Sequence, residues 1–135
     1  MTLTRVLIVD DNEMFIQMAK VVLVAASYDV DASSDASQAL LKIPVFLPDL
    51  ILMDIQMPVM DGIELTRRLK ADPATKHIVI IAFTAFALKG DALKLKAAGF
   101  DGYIAKPVDV MAMAAQVRFW LEGPAGARGS HFVWP

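Results

Sequence analysis

Acidic residues follow two short apolar runs of this chain. Of all its residues, these have the type and spacing that best suit chemistry. Asp10 and Asp11 come directly after the run Val6–Val9, and Asp54 comes directly after Leu50–Met53. Short, uninterrupted aliphatic runs are typical of strands buried on both faces of a parallel sheet. Open sheets of this kind bind ligands at the carboxyl ends of their strands, so we expect the three carboxylates to meet there.

Three carboxylates held together repel one another, and this repulsion implies a positive counter-charge. A hard divalent cation with oxygen ligands is the simplest candidate. Lys106, which follows a later predicted strand, adds one positive charge. Clustered acids, a divalent cation and a lysine together predict a site that handles phosphoryl groups.

The elements that must position these residues alternate between strand and helix. We predict strands at about residues 4–9, 28–32, 49–53, 78–83 and 101–105. Helices are predicted at about residues 13–26, 34–45, 62–71, 88–98 and 108–121. Five β/α units of this length predict an α/β fold, a doubly wound five-stranded parallel sheet with helices on both faces.

Local signals set the predicted ends of several helices. Asn12 is expected to cap the first helix, whose core face is predicted to carry Phe15, Met18, Ala19 and Val22. Pro44 and Pro48 are expected to end the second helix. Asp61-Gly62 is expected to start the third helix, and Gly99 should end the fourth as a left-handed C-cap.

Length and composition narrow the possible classes of protein. The 135 residues suit one domain, expected at 1–122, followed by a tail at 123–135 without periodicity. The tail should be flexible, although its final residues 131–135 are apolar enough to dock on a surface. A net charge of -2 with scattered basic residues argues against a nucleic-acid surface, and the absence of cysteine excludes disulfides. Short apolar runs and the lack of a signal peptide favour the cytoplasm over a membrane.

Five short motifs, in this order and spacing, closely resemble the receiver domain of bacterial response regulators over about residues 4–122. The motifs are Val6-Leu7-Ile8-Val9-Asp10-Asp11-Asn12, Asp49-Leu50-Ile51-Leu52-Met53-Asp54-Ile55-Gln56-Met57-Pro58, Asp61-Gly62, Phe83-Thr84-Ala85 and Tyr103-Ile104-Ala105-Lys106-Pro107. The resemblance implies a flavodoxin-like sheet of strand order 2-1-3-4-5. It also implies a chemotaxis-type, single-domain receiver that accepts a phosphoryl group from a histidine kinase or a phosphotransfer protein.

The resemblance also implies a role for each acid. Asp54 would be the phosphoacceptor and would also face the metal. Asp11 would bind Mg²⁺ directly, Asp10 would act through a bound water, and the backbone carbonyl of Gln56 would complete the protein's ligands. Mg²⁺ keeps several waters and takes few carboxylates, which suits a site of this size.

Three later residues would transmit the signal. Lys106 and the Thr84 hydroxyl would meet the phosphoryl oxygens, and Thr84 with Tyr103 would form the switch. The downstream partner would bind the surface of the fourth helix, fifth strand and fifth helix, where we place Lys89, Lys94, Lys96, Met111 and Met113. The protein would be a monomer or a weak dimer that forms on phosphorylation, with no enzymatic activity beyond its own phosphorylation and dephosphorylation.

Other interpretations stay open. An enzyme of the haloacid-dehalogenase type also uses an aspartate and Mg²⁺, but it needs an acid two residues after the nucleophile, where this chain has Gln56. A receiver fold that serves as an interaction module without phosphorylation is a second alternative. A receiver excised from a hybrid histidine kinase is a third.

Overall fold

Strands and helices alternate along the chain as predicted. The computed structural model describes residues 3–55, 62–84, 89–105 and 110–122. The elements are β1 (Arg5–Val9), α1 (Glu13–Ala25), β2 (Asp29–Ser33), α2 (Ala36–Phe46), β3 (Leu50–Asp54), α3 (Gly62–Ala71), β4 (Val79–Thr84), α4 (Lys89–Ala98), β5 (Gly102–Ala105) and α5 (Val110–Glu122). Observed bounds differ from the predicted ones by at most two residues. Within these ranges, no helix combines the length and the apolar character needed to cross a membrane.

The five strands form one parallel sheet of order β2-β1-β3-β4-β5, which confirms the predicted fold class. Both faces of the sheet are covered by helices. One core layer packs α2, α3 and α4 against the sheet, and the other packs α1 and α5. The central strands β1 and β3 are buried almost throughout, which explains why their sequences are uninterrupted aliphatic runs.

Polar groups and one glycine set the ends of helices as expected. The Asn12 side chain accepts a hydrogen bond of 3.0 Å from the Phe15 amide and so caps α1. Gly99 follows α4 with φ of +105°, a conformation that side chains rarely adopt. A Cβ at Gly99 would also lie 2.8 Å from Lys70 Cγ, so this C-cap requires glycine for two reasons.

The predicted end of the second helix lies within one residue of the observed end, but the role given to Pro44 is wrong. Pro44 lies inside α2, which continues to Phe46. Proline removes one hydrogen bond to the carbonyl four residues earlier, but the helix extends only two residues beyond it, so little is lost. The helix ends at Leu47, which adopts a left-handed conformation (φ +55°) and donates its amide hydrogen to the Ile43 carbonyl.

Two methionines were assigned to the wrong surroundings. Met18 was placed on the core face of α1, but it is 48% exposed, and the buried residues are Ile16, Ala19 and Leu23. Met113 was placed on the output surface, but it is fully buried in the core layer of α1 and α5. Both helices are apolar on most sides, so sequence periodicity alone did not identify the stripe that faces the sheet.

Candidate functional site

Asp10, Asp11 and Asp54 meet at the carboxyl edge of the sheet, as their positions after two strands predict. Strands β1 and β3 are hydrogen-bonded neighbours, and the acids lie at their ends. The carboxylate ligand atoms of all three residues lie within 4.8 Å of one another. Asp10 and Asp54 are buried, at 1% and 3% exposure, whereas Asp11 is exposed. The cluster therefore has a buried floor and one side that faces solvent.

The turn from β1 into α1 is held by backbone hydrogen bonds. The Asp10 amide donates to the Ser33 carbonyl at 3.1 Å, which joins the end of β1 to the end of β2. Asp10 Oδ1 accepts a hydrogen bond of 2.8 Å from the Asn12 amide. Because Asn12 in turn caps α1, the helix start, the turn and the buried carboxylate are fixed as one unit.

Gly62 lets the start of α3 contact the end of β3. The Gly62 amide donates to the Ile55 carbonyl at 3.3 Å. A Cβ at this position would lie 2.6 Å from the Asp54 carbonyl oxygen and 2.7 Å from Met53 Cγ. Real Cβ atoms do not approach backbone so closely, so any other residue would displace the segment that carries Asp54. The sequence predicts Gly62 only as a helix start. Its role in positioning Asp54 follows from its tertiary contact with the end of β3.

Two aromatic rings support the cluster from below. Phe83 is buried and pairs in register with Asp54 on the neighbouring strand β4. Its ring lies 4.5 Å from the ring of Phe15 on α1, at an interplanar angle of 30°. This contact couples α1 to the strand ends by apolar packing. The sequence predicts Phe15 on the core face of the first helix but contains no signal for its contact with Phe83.

The remaining predicted site residues lie at or beyond the ends of the described segments. Thr84 is the last residue of β4 and pairs in register with Ala105 on β5. Tyr103, two residues earlier on β5, pairs with Ala82 and packs half-buried against the core layer of α2, α3 and α4. Gln56 and Lys106 lie outside the described residues.

The donor set fits a hard divalent cation. Carboxylate oxygens are the ligands that Mg²⁺ and Ca²⁺ prefer, and Mg²⁺ commonly uses one or two carboxylates together with waters and phosphate oxygens. Two buried carboxylates with an exposed third offer such ligands and leave room for water on the solvent side. A cation would also relieve the repulsion among three like charges.

Comparison with known proteins identifies the class of protein that this fold and site define. The response regulator receiver domain family matches residues 6–118, and the chain belongs to that family. It is thus a receiver domain of two-component signalling, a class that binds Mg²⁺ at an acidic pocket and works with a kinase or phosphotransfer partner and a downstream target.

Individual relatives share most of the length of this chain. Polar-differentiation response regulators DivK of Brucella anthropi and Brucella ovis are each 38% identical over 116 residues, which cover 86% of this chain and 94% of theirs. The chemotaxis response regulator CheY4 of Vibrio cholerae superposes with a TM-score of 0.84 at 29% identity, over 89% of this chain and 100% of that one. The signal receiver domain of a histidine kinase from Syntrophus aciditrophicus gives a TM-score of 0.81 at 30% identity, over 90% and 92%.

Proposed function

We propose that Asp54 accepts a phosphoryl group from a phosphohistidine and that this event changes the surface presented to a downstream protein. The observation that carries this proposal is the cluster of three carboxylates within 4.8 Å at the edge of the sheet. Asp54 comes from β3, the central strand, and is held between β1 and β4. It is therefore the most rigidly positioned acid, as an in-line displacement requires.

The reaction needs positioning and charge neutralisation more than covalent help from the protein. A carboxylate oxygen of Asp54 attacks the phosphorus, the new O–P bond forms as the P–N bond to histidine breaks, and the imidazole leaves with the bonding electron pair. The product is an acyl phosphate. Asp54 is the nucleophile, and Lys106 and the Thr84 hydroxyl are proposed to contact the phosphoryl oxygens. We propose no enzymatic activity beyond this phosphorylation and the loss of the phosphate to water.

Mg²⁺, when bound, would neutralise charge between the acids and the incoming phosphoryl group. We propose Asp11 as a direct ligand, Asp10 as a ligand through water, and Asp54 with the Gln56 carbonyl as the remaining protein ligands. The burial of Asp10 and the exposure of Asp11 support a division of roles between them. Asp11→Ala should therefore weaken Mg²⁺ binding more than Asp10→Ala, and equal affinities by calorimetry would contradict this assignment.

The phosphodonor is proposed to pack against α1. Met14, Met18 and Val21 follow one another at helical spacing and are exposed at 73%, 48% and 70%. This exposed apolar stripe begins three residues after Asp11, so a donor that covers it can bring its histidine to the acid cluster. Flexible methionines suit a surface that adapts to a partner helix.

The output surface is proposed on α4, β5 and α5. Lys94 and Lys96 are exposed on α4, and Leu93 beside them is 70% exposed. A hollow of about 380 Å³ lies between Tyr103 and the Phe119 side of α5. Such a hollow offers space into which the Tyr103 ring could turn when Thr84 moves toward the phosphoryl group.

The central experiment is phosphorylation with a small phosphoramidate donor and Mg²⁺. We expect one acid-labile, hydroxylamine-sensitive phosphate per chain, lost completely in Asp54→Asn. Asp49→Asn is the matched control, because Asp49 precedes the same strand at its opposite end and is exposed. Stoichiometric labelling of Asp54→Asn would refute the phosphoacceptor assignment, and no labelling of the wild type would favour the interaction-module alternative.

This function is compatible with a free-standing regulator and with a receiver inside a larger kinase. The match to DivK, at 38% identity over 94% of its length, favours the first arrangement, and the match to the receiver domain of a histidine kinase, at 30% identity, is the argument for the second. Labelling of the intact protein in its native cell extract would show which arrangement exists. In either case we expect the protein to work in the cytoplasm, as its composition predicts.

A further inference from the structure

A second concave region lies at the opposite edge of the sheet from the acids. It is a cavity of about 540 Å³ between the end of α2, the end of α3 and the residues that lead into β3 and β4. We call it the basal cavity, and its apolar lining includes Leu40, Ile43, Leu47, Leu69 and Ile78. This volume lies within the range of about 300–1,000 Å³ that is usual for pockets that hold ligands.

The rim of the basal cavity is apolar and also carries negative charge. Leu47 lines the cavity and is 62% exposed, and Val45 just before it is 81% exposed. Asp49 and Asp72 line the same cavity. An occupant that suits this site would therefore bring large apolar side chains and a positive charge.

Residues 123–135 of this chain have that chemistry. They contain Phe132, Val133 and Trp134, one basic residue, Arg128, and no acidic residue. The aromatic pair can bury a large apolar area, and Arg128 can interact with the acids of the rim.

The end of α5 lies at the same edge of the sheet as the basal cavity. Trp120, near the end of α5, is buried and packs against Gly102, the first residue of β5. A Cβ at Gly102 would lie only 2.2 Å from the indole of Trp120. Helix α5 therefore ends at the amino edge of the sheet, where the basal cavity opens beside Asp49 and Ile78.

The chain is long enough to reach the cavity. Moving from the layer of α5 to the layer of α2 and α3 requires roughly 20 Å, twice the spacing of about 10 Å between packed layers. Phe132 is ten residues beyond Glu122, and an extended chain of that length spans about 33 Å.

We propose that the segment Phe132–Trp134 of this chain docks in the basal cavity, with Arg128 near the acidic rim. The contact would tie residues 123–135 to the face opposite the phosphorylation site and leave the acid cluster open. The exposed apolar stripe of α1 is the competing surface, but its residues lie on a single helix and do not line the basal cavity. The proposal is independent of the phosphoryl chemistry.

Tryptophan fluorescence of the full chain tests this proposal directly. Trp120→Phe leaves Trp134 as the only tryptophan, because the sequence contains two. We expect Trp134 emission at short wavelength and a several-fold smaller quenching constant for acrylamide than in unfolding concentrations of urea. If Trp134 emits in native buffer at the wavelength of a water-exposed indole and acrylamide quenches it fully, the proposal is overturned.

Two matched variants locate the docked segment. Leu47→Asn removes apolar lining at a left-handed position that asparagine accepts, so the backbone is preserved. Leu41→Asn is the control, because Leu41 is 76% exposed on the same helix and does not line the cavity. We expect Leu47→Asn to restore quenching of Trp134 and Leu41→Asn to leave it unchanged, and equal effects would overturn the proposal.

Methyl NMR gives a second test that keeps Trp120. Trp134→Ala in the full chain should shift the methyl resonances of Ile43, Leu69 and Ile78, because an aromatic ring is removed from the cavity. Shifts confined to Val21 on α1, or none, would refute docking in the basal cavity. Shifts that disappear on dilution, with a dimer in sedimentation, would assign the occupant to a second copy and overturn docking within one chain.

Discussion

Asp54→Asn should make the metal-free protein more stable, because it removes one of three like charges that the fold holds together. The substitution preserves the shape of a side chain that is 3% exposed, so packing should change little. The gain in the free energy of unfolding comes from the lost repulsion toward Asp10 and Asp11. Its size can be estimated from the distances in the cluster.

One oxygen from each of the three carboxylates lies within 4.8 Å of those from the other two. At that distance, two unit charges repel by about 0.9 kcal/mol in water and by about 3.5 kcal/mol at an effective dielectric constant near 20. The higher value suits the buried pair Asp10–Asp54, and the lower value suits the pair with exposed Asp11. The asparagine amide replaces only part of the interactions that the Asp54 carboxylate makes, and this costs about 1.5–3 kcal/mol of stability. The net gain should be about 1.5–3 kcal/mol.

Urea unfolding without Mg²⁺, in the presence of a chelator, measures this gain. With a slope of about 1–3 kcal/mol per molar urea, the midpoint of Asp54→Asn should rise by roughly 0.5–3 M. Asp49→Asn, at the other end of β3, should not show this rise. Mg²⁺ at 100 times its dissociation constant should add about 2.7 kcal/mol to the wild type and less to the variant, reducing or reversing the difference. A metal-free Asp54→Asn protein less stable than the wild type would refute the charge argument.

Three further predictions concern positioning, pH and signal output. Gly62→Ala should destabilise the protein by about 1–3 kcal/mol and slow phosphorylation, because the new Cβ would clash with the backbone at the end of β3. Gly102→Ala is the control: it should destabilise the protein similarly but keep normal phosphorylation kinetics. Burial raises the pKa of Asp31, but the Ala32 amide and the Lys42 ammonium outweigh it, so this pKa is lowered. The stability that Asp31 contributes is therefore present above its unfolded-state pKa and is lost as the pH falls through its folded-state pKa. Lys42→Met should raise the pKa of Asp31 measured by carboxyl NMR, and it should reduce the loss of stability below about pH 4. Thr84→Ala should accept phosphate but fail to shift amide resonances across α4 and β5 with beryllofluoride, and the full wild-type shift pattern would exclude this output route.

Strand positions and the acid cluster followed from the sequence because burial on both faces leaves a strong signal. Val6–Val9 and Leu50–Met53 have no polar interruption, and the order of the sheet then brings their following acids together. The place of Pro44 inside α2 did not follow, because proline is tolerated here two residues before the helix ends and Leu47 ends the helix in a conformation more common for glycine. Sequence propensity describes the average residue and misses such exceptions.

Contacts between elements were the part of the site that the sequence could not supply. The need for glycine at position 62 comes from its distance to the Asp54 carbonyl, and the pairing of Phe15 with Phe83 joins residues that are far apart in the chain. Met113 was misassigned for a related reason, since an apolar residue on a mostly apolar helix can face either side. Each of these features depends on how two elements pack together, so the sequence of either element alone does not predict it.

The order of the strands explains why the acids form a site and not merely a charged edge. Because β2 lies outside β1, the strands β1 and β3 become neighbours although a complete β/α unit separates them in the chain. The chain leaves β1 for α1 on one face of the sheet and, after β3, reaches α3 on the opposite face. The two connections therefore diverge and open a crevice where Asp10, Asp11 and Asp54 converge, which is the position at which doubly wound sheets bind ligands. The repulsion that destabilises the empty cluster is then the source of its affinity for a cation, so the stability lost at this edge and the function proposed there have one physical cause.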